Sequence, residues 1–196
     1  MDYWKKGIDI KGTNHCWYIK DYFSPKHRKQ ICKAIENNYD FVEKEGKAAE
    51  TNEGQNKKKT KTLVIGWKKI KDIIGEMEHS IYEINLKNFG YNIKPFDHSD
   101  LVIYNIYDSK TKDEYGWHYD SSESEIYDCK LTAIANLSDS YEGGELWLWP
   151  GNPYVIKQCA PGSLLVFKPH INHKVTPVTK GIRKTLILFC HGPRMI

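Results

Sequence analysis

Apolar residues follow two regimes along the chain. Up to Pro95 they recur every three or four positions, and beyond it they gather in short aromatic-rich runs separated by turns. Ser24-Pro25 has the form of an N-cap followed by proline in the first helical turn, and Ile31, Ala34 and Ile35 then share one face. Trp67, Ile70, Ile74, Met77, Ile81 and Ile84 repeat at helical spacing, which predicts one amphipathic helix of about five turns. Gly90 and Pro95 end the helical region. Between these helices, Glu43 to Thr62 is rich in Lys, Glu, Gly, Asn and Thr, includes Lys57-Lys58-Lys59, and has no apolar period. That stretch predicts a solvated polar loop, 43–62, with a substrate lid or an anion-binding segment as the alternatives.

After Pro95 the runs lie at 101–107, 115–119, 130–137, 145–149, 154–158, 163–167, 173–178 and 184–190. Ser140 to Gly144, Pro150-Gly151-Asn152-Pro153, Pro161-Gly162 and Lys180-Gly181 punctuate them as turns. Short strands at this spacing predict a sandwich or barrel, with the helical front layered on one face. The fold class is mainly β with a helical layer, α+β. The 196 residues suit a single domain, 1–196: a helical support region over 1–95 and a β core over 96–196.

Composition removes several classes. A hydrophobic share of 40% is enough for a core and excludes a disordered chain. No run approaches the roughly 20 apolar residues that span a bilayer, so no membrane partner is expected. The opening Met1 to Gly7 lacks the apolar core of a signal peptide, and a cytoplasmic location follows as the expectation. A net charge of +4 is mild and does not point to nucleic acid. Five cysteines, at 16, 32, 129, 159 and 190, form no CxxC pair and are read as reduced, mostly buried thiols.

Chemistry starts from His118 and Asp120. Residues two apart on a strand face the same way, so an imidazole and a carboxylate reach one metal ion. A third ligand elsewhere would complete a facial triad of the kind that holds Fe(II) and leaves positions open. His98-Ser99-Asp100 is a rival pair, placed where a turn is expected. On the residues alone both pairs stay open.

Four further motifs follow in order: Glu142-Gly143-Gly144-Glu145-Leu146, Pro161 to Phe167, His173-Lys174-Val175-Thr176-Pro177-Val178, and Gly181-Ile182-Arg183-Lys184-Thr185. From Leu101 to Phe189 this set resembles the iron(II)/2-oxoglutarate-dependent dioxygenases and, within them, the prolyl 4-hydroxylase-like group. The resemblance implies a double-stranded β-helix, a jelly-roll or cupin-like core, packed against N-terminal helices. It implies Fe(II) on His118, Asp120 and His173, with His170 as a neighbouring rival to His173. It gives Arg183 the far carboxylate of 2-oxoglutarate and places the Thr185 hydroxyl beside it. Tyr107 and Tyr115 match pocket-lining aromatics, with Tyr104 as the alternative to Tyr107, and Asn136 falls at an inward position. Tyr141, Trp147 and Trp149 are read as core or pocket walls, and His15, His27, His79, His98 and His191 as bystanders.

The same resemblance implies O2 as second cosubstrate, ascorbate as candidate reductant, and hydroxylation of a C–H bond, foremost in a prolyl residue of a peptide or protein partner. Succinate and carbon dioxide would be the co-products. Related halogenases replace the carboxylate that Asp120 retains. Two alternatives remain. One is an oxidative demethylase of alkylated nucleic acid, a group that carries a second arginine six residues after the first, where this chain has Phe189. The other is a non-catalytic, metal-binding cupin-like module.

Overall fold

A computed structural model describes residues 7–8, 15–38, 42–48, 58–120, 126–151 and 160–194. In chain order the elements are β1 (Gly7–Ile8), β2 (Cys16–Ile19), α1 (Pro25–Glu36), β3 (Val42–Ala48), β4 (Lys58–Gly66), α2 (Trp67–Ile74) and α3 (Met77–Ile84), which runs into a π turn at Asn85–Phe89. Then come β5 (Leu101–Asp108), β6 (Glu114–His118), β7 (Tyr127–Asn136), β8 (Tyr141–Gly143), β9 (Leu146–Trp149), β10 (Leu164–Phe167), β11 (Asn172–Val175) and β12 (Val178–Pro193).

Pairing is antiparallel, and the hydrogen-bonded order is β1-β2-β10-β7-β12-β5-β4-β6-β11-β9. β4 is where the sheet turns over. Its residues 61–66 pair with β5, while Lys58 and Lys59 pair with Tyr115 and Glu114 of β6. The short layer β6-β11-β9 thereby lies across the larger one.

Strand alternation then sorts every side chain to one of two cores. Leu164 and Val166 of β10, Ala133 and Ala135 of β7, and Leu186 and Leu188 of β12 pack outward with the helices. Leu165, Phe167 and Ile134 point inward and meet Leu146, Leu148 and Val175 of the short layer. Both faces of the central strands are covered, which is why the sequence shows apolar runs there rather than clean alternation.

The helices form as their sequences require, with one change. Ser24 is extended, and its Oγ accepts from the His27 backbone N–H at 3.2 Å, capping α1. The predicted five-turn helix is instead two helices, α2 and α3. Gly75 adopts φ +61°, which ends the first, yet the six apolar positions from Trp67 to Ile84 are all buried as their spacing required.

The polar stretch 43–62 is also different from expectation. Much of it is strand: Lys44 to Ala48 of β3 pair with Thr60 to Val64 of β4, and only 49–57 fall outside the described residues. Two polar side chains of β4 have partners. The Thr60 hydroxyl donates to the Ile106 carbonyl and the Thr62 hydroxyl to Asn105 Oδ1, each at 2.8 Å. The support region over 1–95 therefore contributes β1–β4 to the sheet as well as helices.

The run at 154–158 lies outside the described residues. Among the described residues, no helix is long and apolar enough to cross a membrane. Among the described residues Cys16, Cys32, Cys129 and Cys190 form no disulfide, and of these Cys190 is the one that is fully buried; Cys159 is outside the described residues.

Candidate active site

The register of β6 against β11 sets His118 opposite His173. Asp120 follows just past the end of β6, where its N–H donates to the Pro169 carbonyl at 2.9 Å. The ligand-type atoms of these three side chains lie within 4.8 Å of one another. His118 Nε2 is 3.9 Å from Asp120 Oδ1, and His173 Nε2 is 3.6 Å from Asp120 Oδ2. The other ring nitrogens settle the tautomers. Nδ1 of His118 is 2.8 Å from the Gly116 carbonyl, and Nδ1 of His173 is 2.9 Å from the Ile171 carbonyl. A carbonyl only accepts, so each Nδ1 carries the proton and each Nε2 turns a lone pair to the centre. Thr132 of β7 donates its hydroxyl to Asp120 Oδ2 at 2.7 Å. Two neutral imidazoles and one oriented carboxylate are the donor set that suits non-haem Fe(II), with positions left open.

The cluster opens into a cavity of about 210 Å³. Tyr107, Tyr115, Arg183 and Thr185 line it together with the three ligand-type residues. Arg183 is only 1% exposed, and its guanidinium carbon sits 5.2 Å from the centre of the Tyr107 ring. Its Nε has no hydrogen-bond partner, and no carboxylate pairs with it among the described residues. An unpaired buried cation costs several kcal/mol. A planar fork held in that state is a socket for a carboxylate brought by a ligand. The fit to 2-oxoglutarate thus rests on a buried guanidinium of this chain whose Nε is unsatisfied and which has no carboxylate partner among the described residues.

Residues 102–191 match the sequence profile of the 2OG-Fe(II) oxygenase superfamily. That stretch is similar to a 2OG-Fe(II) oxygenase domain. It contains the whole histidine–aspartate cluster, Arg183 and Thr185. A PKHD-type hydroxylase of Alteromonas mediterranea is 35% identical over 77 residues, covering 35% of this chain and 34% of that one. The match therefore spans about a third of the curated relative's length. Among solved structures, a Pseudomonas putida prolyl-4-hydroxylase superposes with TM-score 0.68 at 14% identity, over 92% of this chain and 94% of that one. A Trichoplax adhaerens prolyl hydroxylase, in complex with a hypoxia inducible factor peptide fragment, gives 0.65 at 18% identity over 91% and 84%. At those identities the likeness is one of fold, the mainly β jelly roll with helices that the resemblance implied.

The remaining sequence candidates fall on either side of the sheet. Tyr104 points to the helices, where its hydroxyl donates to Glu36 Oε1 at 2.5 Å, so Tyr107 is the tyrosine in the cavity. Burial pushes the Tyr107 hydroxyl up to about 12, against the pull of the Arg183 charge. Asn136 is spent elsewhere: its amide donates to the Tyr141 hydroxyl at 2.9 Å and its Oδ1 accepts from Ser138 N–H at 3.0 Å. Asn105, two residues before Tyr107, lines the cavity instead. His170 is exposed, apart from the cluster. The rival pair is a turn: His98 is exposed, and Asp100 is bound at 2.7 Å by both Lys94 Nζ and the Asp97 N–H. Asn105 and Thr132 also line the cavity and are absent from the sequence candidates, whereas Lys58 belongs to the Lys57-Lys58-Lys59 run of the stretch read as a loop, a lid or an anion-binding segment. Counting back in twos from Tyr107 reaches Asn105, and from Asn136 reaches Thr132.

The Gly143-Gly144 pair has a direct role in shaping the arginine socket. Both take positive φ, +71° and +58°. A Cβ on Gly144 would lie 2.9 Å from Arg183 Cδ and 2.9 Å from Val178 Cγ2. Gly144→Ala should push Arg183 off its line and weaken 2-oxoglutarate about tenfold, a loss of ~1.4 kcal/mol. Calorimetric titration of 2-oxoglutarate into the iron-loaded protein without oxygen measures it; unchanged affinity would mean that Arg183 tolerates the shift.

Burial, and next the neighbouring His173, hold the His118 imidazole down at about 3 against an ordinary 6.5. The unfolded chain binds a proton there as pH falls below ~6.5, whereas the folded one refuses it until far lower. The metal-free protein should therefore lose stability on acidification through that window, by up to ~1.4 kcal/mol per pH unit from this group. Urea melts at about pH 7 and about pH 5, compared with those of His118→Gln, isolate the contribution. An identical pH slope in the variant would show that His118 is protonated in the fold.

Proposed function

We propose that the protein is an Fe(II)/2-oxoglutarate-dependent hydroxylase acting on a prolyl residue of a peptide or protein, with O2 consumed and succinate and carbon dioxide released. One observation carries this reading: a two-histidine, one-carboxylate cluster shares a cavity with a buried arginine that has no carboxylate of its own among the described residues. Bound iron would supply the activation of oxygen, with 2-oxoglutarate as the source of electrons.

The rest belongs to the chain. His118 and His173 offer neutral nitrogens whose tautomers the Gly116 and Ile171 carbonyls fix. Thr132 holds the Asp120 carboxylate in one orientation. Arg183 takes the far carboxylate of 2-oxoglutarate in its fork, with the Thr185 hydroxyl beside it. Tyr107, Ile134 and Leu146 wall the cavity and keep water from the reacting centre.

A peptide substrate is supported by the Trichoplax relative, whose structure is a complex with a peptide fragment. Phe189 lines the cavity at the position where the nucleic-acid demethylase reading asks for a second arginine. That Cys16, Cys32, Cys129 and Cys190 form no disulfide among the described residues agrees with a reducing, cytoplasmic setting.

The test is incubation with Fe(II), 2-oxoglutarate, ascorbate as reductant, and a panel of proline-containing peptides. Succinate formation and a mass gain of one oxygen on proline are the expected result. Succinate without oxygen in any peptide would move the substrate class. No succinate at all would leave a metal-binding module without turnover.

A further inference from the structure

One cavity-lining charge is not used by the proposed reaction. Lys58 is the first residue of β4, set by register against Tyr115 of β6. Its Nζ lies 5.1 Å from the centre of the Tyr115 ring, and that ring stacks on His118 with centroids 3.5 Å apart. Lys58 is therefore on the metal-ligand side of the cavity, whereas Arg183 lies against Tyr107. Its neighbour Lys59 is differently placed and donates to the Thr111 carbonyl. No carboxylate pairs with Lys58 among the described residues. Burial pulls the Lys58 ammonium below its ordinary pKa, and the charge of Asp120 pulls the other way.

A count of charges gives Lys58 its meaning, and this count rests on the hydroxylase reading above. Fe(II) brings two positive charges and 2-oxoglutarate two negative ones. Asp120 and Arg183 offset each other. The loaded cavity then keeps the charge of Lys58 without a counter-ion, in surroundings where an unmatched charge is expensive. The two carboxylates of 2-oxoglutarate are already assigned, one to Arg183 and one to the metal centre. No carboxylate among the described residues supplies the missing anion, and the substrate is the remaining component of the loaded cavity that can bring it.

We propose that Lys58 is a specificity-determining residue that binds a carboxylate of the substrate, so that the hydroxylated proline is flanked by an aspartate or glutamate. An ammonium on a flexible stem suits a point contact of this kind and tolerates either acidic side chain. A neutral neighbour would leave the ammonium desolvated and unpaired, which penalises the wrong peptide as well as rewarding the right one.

The probes are matched N-acetylated peptides in which a single proline is flanked by aspartate or by asparagine. Binding is measured by calorimetry on the protein loaded with Fe(II) and 2-oxoglutarate in the absence of oxygen. The aspartate peptide should bind at least about tenfold more tightly. Lys58→Met should erase that preference, Lys58→Glu should reverse it toward lysine-flanked peptides, and Lys58→Arg should retain it. Equal binding of the pair, binding of neither, or a preference that survives Lys58→Met overturns the proposal. So does a loss of 2-oxoglutarate affinity in Lys58→Met with peptide affinity intact, because Lys58 would then serve the cosubstrate. Admitting oxygen separates the two readings. A charge preference without oxygen gain on proline removes the hydroxylase reading and leaves Lys58 as a carboxylate site. Oxygen gain on both peptides with equal affinity does the reverse.

Discussion

Replacing His118 or Asp120 by alanine should abolish turnover and most iron affinity while the fold persists. The three side chains converge from β6, the residues just after it and β11, and each is oriented by a separate hydrogen bond. Loss of an orienting partner alone typically costs a metal site 10–100-fold. Loss of a ligand should exceed that, on the order of 100-fold or more in iron affinity. The fold should survive, because the apolar clusters on both faces of the sheet do not depend on these groups. His98→Ala is the control, since His98 is exposed at a turn and apart from the cluster. Asp100 would be a poor control: it is buried and holds Lys94 and the Asp97 N–H, so its removal attacks the turn itself. Chelator competition for Fe(II), succinate yield and a thermal melt measure the three consequences. Wild-type iron binding in either alanine variant would dismiss the cluster as the metal site.

Arg183→Ala should strike 2-oxoglutarate and spare iron. Removing one partner of a desolvated charge pair costs on the order of 2–5 kcal/mol, so affinity should fall about 30-fold or more. Arg183→Lys should fall between, because it keeps the charge and loses the two-point fork. The metal-free, ligand-free protein should behave in the opposite sense. Arg183 is buried there without a carboxylate partner among the described residues, and Arg183→Met should hold or raise its melting temperature. A variant with unchanged 2-oxoglutarate affinity would remove Arg183 from the cosubstrate's path; a variant less stable in the ligand-free state would show that the guanidinium is already satisfied.

Much of this arrangement was legible from residue order. The helical spacing from Trp67 to Ile84 gave the buried face correctly, and the apolar runs after Pro95 gave β5, β6, β7, β9, β10 and the centre of β12. His118, Asp120, His173 and Arg183 line one cavity. What was hidden has one physical source. β4 shows Leu63 and Ile65 to the helices but Lys58 and Thr62 to a polar interior, so its pattern lacks the alternation that announces a half-buried strand. Polar composition was read as solvent exposure, where it was exposure to an active-site cavity. Lys58 was for that reason read as part of a polar loop, with a lid or an anion-binding segment as the alternatives, rather than as a strand residue in the cavity wall. The broken helix had a visible cause in Gly75, outweighed by the strong apolar period on either side of it.

The direct opposition of His118 and His173 across β6 and β11 has a consequence for how the protein is assembled. In a strand pair, a slip of one residue sends a side chain to the opposite face. Slipping β11 by one would carry His173 out to solvent and bring Asn172 or Lys174 inward. The short layer has only four or five residues per strand with which to resist such a shift. A metal that binds only the aligned pair stabilises that alignment by mass action. Iron would in this way act as a proofreader of strand register, and chains folded without it should hold a larger share of misaligned partners than chains folded in its presence.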